Sequence, residues 1–183
     1  VTGSQTDVGD SENTFTYELN ENTKAENYSI TTANGTLNVT KATMTVTAVD
    51  YSDKYDGDTH NGGATPSVTA GTTLSYSTDG TTWSETAPSI KDAGSITYTV
   101  KAVNPNYNDA TDEGTLAVTA RTVKLTSASD EKVYNGTALT NDTITETAEG
   151  FDGFVEGEGA TYDVTGSQTD VGDSENTFTY EHD

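Results

Sequence analysis

The sequence has no cysteine, and it is poor in basic residues, proline, histidine and tryptophan. Among its 183 residues, 30 are Asp or Glu and only 8 are Lys or Arg, while Pro occurs three times, His twice and Trp once. The lack of Cys excludes disulfide bonds and thiol chemistry. A formal net charge of −22 argues against nucleic acid as a partner, because phosphate binding needs clustered basic side chains. No apolar run is long enough to cross a bilayer, so we predict no membrane insertion.

The polar residues that are abundant are those of strands and turns. Thr is β-branched and suits exposed strand faces, whereas Ser, Asn, Asp and Gly suit turns. Hydrophobic residues make up only 31% of the chain, so its cores must be small. We therefore predict an all-β fold built from tandem small β modules. A small immunoglobulin-like sandwich is favoured, because strands are dense and no helical periodicity is evident.

Alternating apolar residues give the positions of individual strands. The longest such series is Ile96, Tyr98, Val100 and Ala102, which we predict to share one buried face. Shorter alternations are Met44 with Val46 and Ala48, Phe15 with Tyr17 and Leu19, Leu74 with Tyr76, Leu116 with Val118, Val123 with Leu125, and Tyr162 with Val164.

One turn is predicted from its sequence. The pair Asn34-Gly35 lies between Tyr28–Ala33 and Thr36–Thr40. Asn-Gly is typical of a type I′ turn, since both central positions of that turn have positive φ. We therefore predict a closing hairpin there.

The most informative feature is an exact internal repeat. Val1–Glu18 reads VTGSQTDVGDSENTFTYE, and Val164–Glu181 repeats it letter for letter 163 positions later. Strand and turn surfaces tolerate many substitutions, so folding alone does not require this identity. The repeat predicts a protein made of tandem copies, which favours an array over a single catalytic domain.

A weaker repeat divides the 163-residue period into two related modules. TVTAVDYSDKYDG (Thr45–Gly57) matches KLTSASDEKVYNG (Lys124–Gly136), and NYSITTANGTLNVT (Asn27–Thr40) matches NYNDATDEGTLAVT (Asn106–Thr119). Both matches have an offset of 79 residues. We therefore predict three regions, which are the C-terminal half of a module at residues 1–41, a complete module at 42–120, and the N-terminal part of a further module at 121–183.

The connections between these modules are short. Neither Lys41-Ala42 nor Ala120-Arg121 is accompanied by Pro or by a Gly/Ser tract. Such joints restrict movement between neighbours, which predicts a fairly stiff rod in which adjacent repeats are partners. Residues 121–183 lack a counterpart of the closing segment Leu19–Lys41. We expect either that the sequence is a window on a longer polypeptide or that this segment is exchanged between chains.

Several segments carry a family resemblance. YNGTAL (Tyr134–Leu139), EGEGATYDVTGSQTDVG (Glu156–Gly172) and NYSITTANGTLNVTKA (Asn27–Ala42) resemble MBG-type repeats of bacterial surface proteins, in the variety marked by Tyr-Asx-Gly. The middle region, with KYDG at Lys54–Gly57, is similar to a longer relative. The resemblance implies an extracellular adhesin or stalk on the bacterial cell surface, usually anchored to the cell wall. It also implies a β-grasp-like fold as the alternative to the sandwich, and mucus binding in some relatives.

The sequence offers little catalytic chemistry. The two His, His60 and His182, have no nucleophile–base context, and the many acids show no distinctive spacing, so we predict that the chain is not an enzyme. A weak possibility of calcium binding comes from a loop that holds several carboxylates around Gly57. These are Asp50, Asp53, Asp56 and Asp58. Hard cations take oxygen ligands from such loops, although solvated acids in a polar turn have the same appearance.

Lys and Trp are two further residue types that could react or bind. An isopeptide crosslink would need a buried Lys beside Asn or Asp, but Lys101 and Lys124 alternate out of phase with the apolar positions and should face solvent. Trp83, the only Trp, lies in a turn-like stretch. Its ring either stacks on a sugar or folds back over a small core. The leading hypothesis is thus a structural stalk, and the rival is a low-affinity glycan- or mucin-binding module that gains avidity from repetition.

Overall fold

The structure, a computed structural model, describes residues 1–182 and is nearly all-β, which confirms the predicted fold class. Its strands are β1 (Gly9–Asn13), β2 (Gly35–Val39), β3 (Val46–Ala48), β4 (Tyr51–Lys54), β5 (His60–Asn61), β6 (Ala64–Pro66), β7 (Thr73–Ser77), β8 (Ser89–Ile90), β9 (Gly94–Asn104), β10 (Tyr107–Thr119), β11 (Thr126–Ser127), β12 (Ile144–Thr145), β13 (Ala160–Val164) and β14 (Phe178–His182). Within the described range the only helical element is a 3-10 turn at Ala25–Asn27. Several small sheets fit a sandwich-like fold, and the β-grasp alternative, which needs a helix against its sheet, gains no support.

The chain divides into two compact units. Unit one comprises Val1–Asp50, Asn61–Pro88 and Thr97–Thr115, and unit two comprises Tyr51–His60, Ser89–Ile96 and the chain from Leu116 onward. The division into residues 1–41, 42–120 and 121–183 follows the repeats in the sequence instead. It stays a prediction.

Each unit is built from small paired strands. In unit one, β1 pairs antiparallel with β2, β3 with β6, and β7 with β9, and the long hairpin of β9 and β10 continues that sheet. In unit two, β4 runs parallel to the last residues of β10, with Tyr51 opposite Leu116. There β11 pairs with β12 and β13 with β14, both antiparallel. Within unit one the largest sheet has the order β10-β9-β7.

The buried apolar side chains come from one part of the sequence. The alternation predicted in β9 is confirmed for Tyr98, Val100 and Ala102, which are at most 1% exposed, whereas Ile96 is only half-buried. Leu116 and Val118 of β10 are buried as well. Among the described residues, all nine buried hydrophobic side chains lie between Met44 and Val118, inside the stretch predicted to be a complete module.

Tyr98 links two sheets of unit one through its hydroxyl group. The Oη atom lies 2.7 Å from the carbonyl oxygen of Val49 and 2.9 Å from that of Gly63, and its one proton can go to either. It also accepts from the N–H groups of Gly63, at 3.1 Å, and Val49, at 3.2 Å. These residues follow β3 and precede β6, so a side chain from β9 closes the end of the β3–β6 ladder.

The predicted hairpin at Asn34-Gly35 is wrong. No non-glycine residue in the described chain has positive φ, and Gly35 is not among the glycines that do. β2 begins at Gly35 but pairs with β1, not with Tyr28–Ala33. Pairing of β2 with β1 therefore outweighs the local preference of Asn-Gly for a turn.

Two predicted strands are also wrong. Phe15, Tyr17 and Leu19 are outside any strand and are 39–53% exposed, although the same sequence forms β14 in the second copy. In the second copy this segment pairs with β13. In the first copy no described strand pairs with it. Val123–Leu125 forms no strand, because the preceding residues are hydrogen-bonded to the loop at Asp152-Gly153.

Candidate functional site: two joints between modules

We call residues 42–120, the predicted complete module, the middle module. The first joint is its predicted boundary with residues 1–41, and the residues that meet there belong to unit one. Asn106, in the turn between β9 and β10, makes two bonds across it and a third to Ala42, the first residue of the middle module. Its side-chain oxygen accepts from the N–H of Val8 at 2.9 Å, and its side-chain nitrogen donates to Asp7 Oδ1 at 2.9 Å. Its carbonyl oxygen accepts from the N–H of Ala42 at 3.0 Å. The joint is thus fixed by main-chain and side-chain bonds together.

A buried neighbour orients Asn106. Asn104, 3% exposed, accepts from the N–H of Asn106 at 3.0 Å through its side-chain oxygen. Its amide nitrogen donates to the carbonyl of Ala70 at 3.0 Å and to Thr72 Oγ1 at 2.9 Å. Every polar atom of this buried amide therefore has a partner, which is the condition under which a buried polar group holds a single geometry.

We predict that Asn106→Ala loosens the first joint. The N–H of Val8 would lose its acceptor, and a hydrogen bond of about 1 kcal/mol corresponds to a several-fold faster exchange of that amide with solvent. Hydrogen exchange followed by NMR measures this at Val8.

Asn27→Ala is the matched control, because Asn27 occupies the equivalent position in the preceding module and lies exposed in the 3-10 turn. It should leave the exchange rate of Val8 unchanged. Equal effects of the two substitutions would mean that Asn106 does not fix the joint.

The second joint, where the middle module meets residues 121–183, lies inside unit two and is organised by Arg121. Its guanidinium group donates to the carbonyl oxygens of Gly153 at 2.8 Å, Asp152 at 2.7 Å and Tyr55 at 3.3 Å. Tyr55 follows β4 of the middle module, whereas Asp152 and Gly153 belong to the next one. The planar guanidinium group of Arg has several N–H donors in fixed positions, so it can bond to several acceptors at once.

Two carboxylates strengthen the second joint. Lys54, at the end of β4, pairs with Asp152, whose other oxygen accepts from the N–H and hydroxyl of Thr122 at 2.9 Å each. Tyr55 donates its hydroxyl proton to Glu158. The hydrogen bond from Lys54, followed by those from Thr122, holds the pKa of the Asp152 carboxyl well below its usual range. Bonding to the Glu158 carboxylate raises the pKa of the Tyr55 hydroxyl.

A small cavity of about 280 Å³ lies beside Arg121 in this joint. Its lining includes Ala93, Ala120, Val123, Phe154 and Val155. The walls are mainly aliphatic and aromatic, so the cavity indicates packing between modules and not a polar binding site.

We predict an acid-sensitive second joint. A lowered carboxyl pKa contributes stability that is fully present at neutral pH and is lost as pH falls through the folded-state pKa of Asp152. NMR titration should place the Asp152 midpoint below 3.8, its ordinary value. Lys54→Met should move that midpoint upward.

Lys101→Met is the control for this titration, because Lys101 pairs with Asp109 at 3.2 Å and not with Asp152. It should leave the Asp152 midpoint where it was. If the Asp152 midpoint in Lys54→Met is the same as in the unchanged chain, this ion pair does not lower the pKa of Asp152.

Three of the four aspartates that suggested calcium, Asp50, Asp53 and Asp56, accept main-chain hydrogen bonds through their carboxylates. Asp50 accepts from the N–H of Thr115 at 2.7 Å, and Asp53 from that of Lys54. Asp56 accepts from the N–H of Asp58 at 2.9 Å, which is the main reason that its pKa is lowered. No group of three or more His, Asp or Glu side chains in the described chain is arranged to hold a metal ion.

Trp83 lies in unit one on a well-defined loop and is 41% exposed. Asp79 accepts from the N–H groups of Thr81 and Thr82 at 2.7 Å each, and these bonds, that from Thr82 first, lower the pKa of its carboxyl. Two main-chain bonds between Tyr76 and Ser84 close the loop. The Trp83 side chain is therefore partly exposed, on a loop that hydrogen bonds hold in place.

None of the seven Lys side chains is buried, all of them lying in the described chain, so an isopeptide crosslink gains no support. His60 is in a cluster that the sequence did not suggest. Its Nε2 lies 3.0 Å from Asp56 Oδ1 and 2.9 Å from the hydroxyl of Tyr51, on whose ring it stacks. No Ser, Thr or Lys nucleophile is hydrogen-bonded to this cluster in the described residues, and we assign no chemistry to it.

Comparison of the chain with protein-family models, curated proteins and solved structures finds no match. No helix in the described chain is both long and apolar enough to cross a membrane.

Proposed function

We propose that this chain is part of the structural stalk of an extracellular bacterial surface adhesin or fibre, built from MBG-type repeats and displaying a distal binding region away from the cell. The observation that carries the proposal is the exact 18-residue repeat, whose internal turn keeps the same hydrogen bonds in both copies. A segment that keeps its internal turn in two settings is suited to be a building block of an array.

The two copies share their internal bonds in detail. Thr2 and Thr165 donate their N–H groups to the carbonyls of Thr14 and Thr177, both at 2.8 Å. Gln5 and Gln168 fold back onto carbonyl oxygens two residues ahead, at 2.7 and 2.8 Å. The φ angles of Gly9 and Gly172 are +140° and +144°. The turn within the segment is therefore set by the segment's own residues.

The two joints support a load-bearing role. In the first joint the N–H of Val8 donates to the side-chain oxygen of Asn106, and in the second the guanidinium group of Arg121 donates to the carbonyl oxygen of Tyr55, with no long linker between the predicted modules. The large negative charge keeps such an array soluble and discourages collapse of one repeat on another. A mechanical experiment tests the proposal, since a stalk tethered at its ends should resist force in discrete steps and a flexible spacer should extend smoothly.

The rival function, weak glycan or mucin binding, has one observation in its favour, which is the partly exposed Trp83 on its ordered loop. An exposed indole can stack on a sugar ring. Screening the chain against mucin glycans tests this, and Trp83→Ala should abolish any binding that uses this surface. A hit that survives the substitution would place the contact elsewhere, and the absence of any hit would remove the rival.

A further inference from the structure

Asparagine is followed by glycine at three places in the chain, Asn34-Gly35, Asn61-Gly62 and Asn135-Gly136. Such a pair can modify itself, because glycine has no side chain to keep its main-chain nitrogen away from the preceding side-chain amide. That nitrogen attacks the amide carbon, and a five-membered imide forms as ammonia leaves. The reaction needs a main-chain nitrogen without a hydrogen bond and a backbone that can bend into the ring. The structure differs in both respects among the three pairs.

Two of the pairs are held in β structure. Asn61 is in β5, and the N–H of Gly62 donates to the carbonyl oxygen of Pro88 at 2.8 Å. Gly35 is the first residue of β2, which pairs along its whole length with β1. Attack at either site therefore requires a local opening that first breaks these interactions.

The third pair lies in an exposed loop of unit two. Asn135 and Gly136 are both exposed, and the N–H of Gly136 makes no hydrogen bond to other described residues. The preceding side chains, Val133 and Tyr134, are 89% and 60% exposed. The attacking nitrogen is thus available, and the loop is open to the water that would complete the reaction.

Two donors already contact the side-chain oxygen that would gain charge during the attack. Oδ1 of Asn135 accepts from the N–H of Thr137 at 3.1 Å and from its hydroxyl group at 2.8 Å. Lys132 donates to the same hydroxyl oxygen at 2.8 Å. Because an ammonium group can only donate, the Thr137 hydroxyl proton is directed to Asn135. Donors placed in advance around a developing oxyanion stabilise the tetrahedral intermediate.

We propose that Asn135 is a site of spontaneous modification, at which the main-chain nitrogen of Gly136 attacks Cγ of Asn135 and forms a succinimide. The new N–Cγ bond replaces the bond from Cγ to the amide nitrogen, and the proton lost from Gly136 leaves with that nitrogen as ammonia. Water then opens the ring at either carbonyl carbon. Opening at Cγ gives aspartate, whereas opening at the main-chain carbon gives isoaspartate. Either product adds one negative charge to the loop.

The middle module shows how the aspartate product would fit. Asp56-Gly57 lies 79 residues before Asn135-Gly136, and Asp56 accepts from the N–H of Asp58 at 2.9 Å, as Asn135 does from that of Thr137. Aspartate would therefore keep the turn, whereas isoaspartate lengthens the main chain and would disturb it. Asp56 is itself a poor site for the reaction. The bond from Asp58 lowers the pKa of its carboxyl group, and an ionised carboxylate resists attack by a nucleophile.

Peptide mapping by mass spectrometry of the full chain tests the proposal. Asn34 is the matched comparison, because Asn34-Gly35-Thr36 has the same tripeptide sequence as Asn135-Gly136-Thr137. During incubation of the folded chain at mildly alkaline pH, Asn135 should convert faster than Asn34 and Asn61. The difference should be about fivefold for each hydrogen bond of about 1 kcal/mol that must open first. In urea the rates should become similar. If Asn135 is not the fastest in the folded chain, or its lead persists undiminished in urea, the proposal is wrong.

Two variants test the part played by the Thr137 hydroxyl group. Thr137→Val removes it at nearly constant size and should slow conversion of Asn135 about fivefold, the effect of one hydrogen bond. Thr137→Ser keeps the hydroxyl and should keep the rate, and conversion of Asn34 should be the same in both variants. Equal rates at Asn135 in the Val and Ser variants would overturn the activation of its amide by this group. The inference is independent of the stalk function, because it concerns the chemistry of one loop and not resistance to force.

Discussion

Replacing Tyr98 by Ala is expected to lower the free energy of unfolding of the middle module by about 3–5 kcal/mol, the range for removing a large buried aromatic side chain. The ring is 1% exposed, and its hydroxyl joins the β3–β6 ladder to β9. Urea unfolding followed by the fluorescence of Trp83 reports on this module, because Trp83 is the only Trp and lies within it.

Tyr98→Phe separates the hydroxyl from the ring. It keeps the packing but leaves the N–H of Gly63 and the carbonyl of Val49 without this partner, at a cost of about 1–3 kcal/mol for buried polar groups. A Phe variant as stable as the unchanged chain would show that the hydroxyl does not hold the two sheets together. A Phe variant as unstable as the Ala variant would show that the ring contributes little.

Gly114→Ala is expected to destabilise the middle module by about 1–3 kcal/mol through overpacking. Gly114 is buried in β10, and a Cβ atom there would lie 2.7 Å from Cζ of Tyr98. The ring cannot move away without breaking the bonds of its hydroxyl group. The same urea titration measures the loss.

The equivalent glycine of the preceding module provides the control. Gly35 lies 79 residues earlier, and a Cβ atom there would find its nearest neighbour, Cβ of Asn13, at 3.9 Å. Gly35→Ala should therefore leave stability within about 0.5 kcal/mol. If both substitutions cost the same, steric conflict with Tyr98 is not the reason that Gly114 is glycine.

The strands of the middle module could be predicted because their burial follows a simple period. Tyr98, Val100 and Ala102 alternate with polar residues, and the structure buries all three. The role of the Tyr98 hydroxyl could not be predicted in the same way. Its partners, Val49 and Gly63, are 49 and 35 residues away and contribute main-chain atoms, which leave no mark in the side-chain pattern.

The joints were predicted as short, but their contacts were not. Asn106 bonds to Val8 across 98 positions, and Arg121 binds three carbonyl oxygens. Every residue has a carbonyl acceptor, so the sequence gives no reason to expect Arg121 to bond to these three. The one available signal was that Arg121, the only Arg of the chain, lies at a predicted module boundary.

The exact repeat shows directly where local sequence stops determining structure. Its internal bonds are the same in both copies, yet Gly9–Asn13 is a strand only in the first, and the Phe-Thr-Tyr-Glu sequence is a strand only in the second. In each case the strand forms where a partner strand is present. Ladder pairing with residues outside the repeat therefore decides between strand and coil.

The stalk proposal is tested most directly by pulling a single chain by its two ends. A stalk requires that the middle module unfold as a unit, releasing 79 residues in one step, on the order of 250 Å of extended chain. Tyr98→Ala should lower the force of that step and leave its length unchanged. A smooth extension without a step of this length would contradict the proposal that the chain bears load.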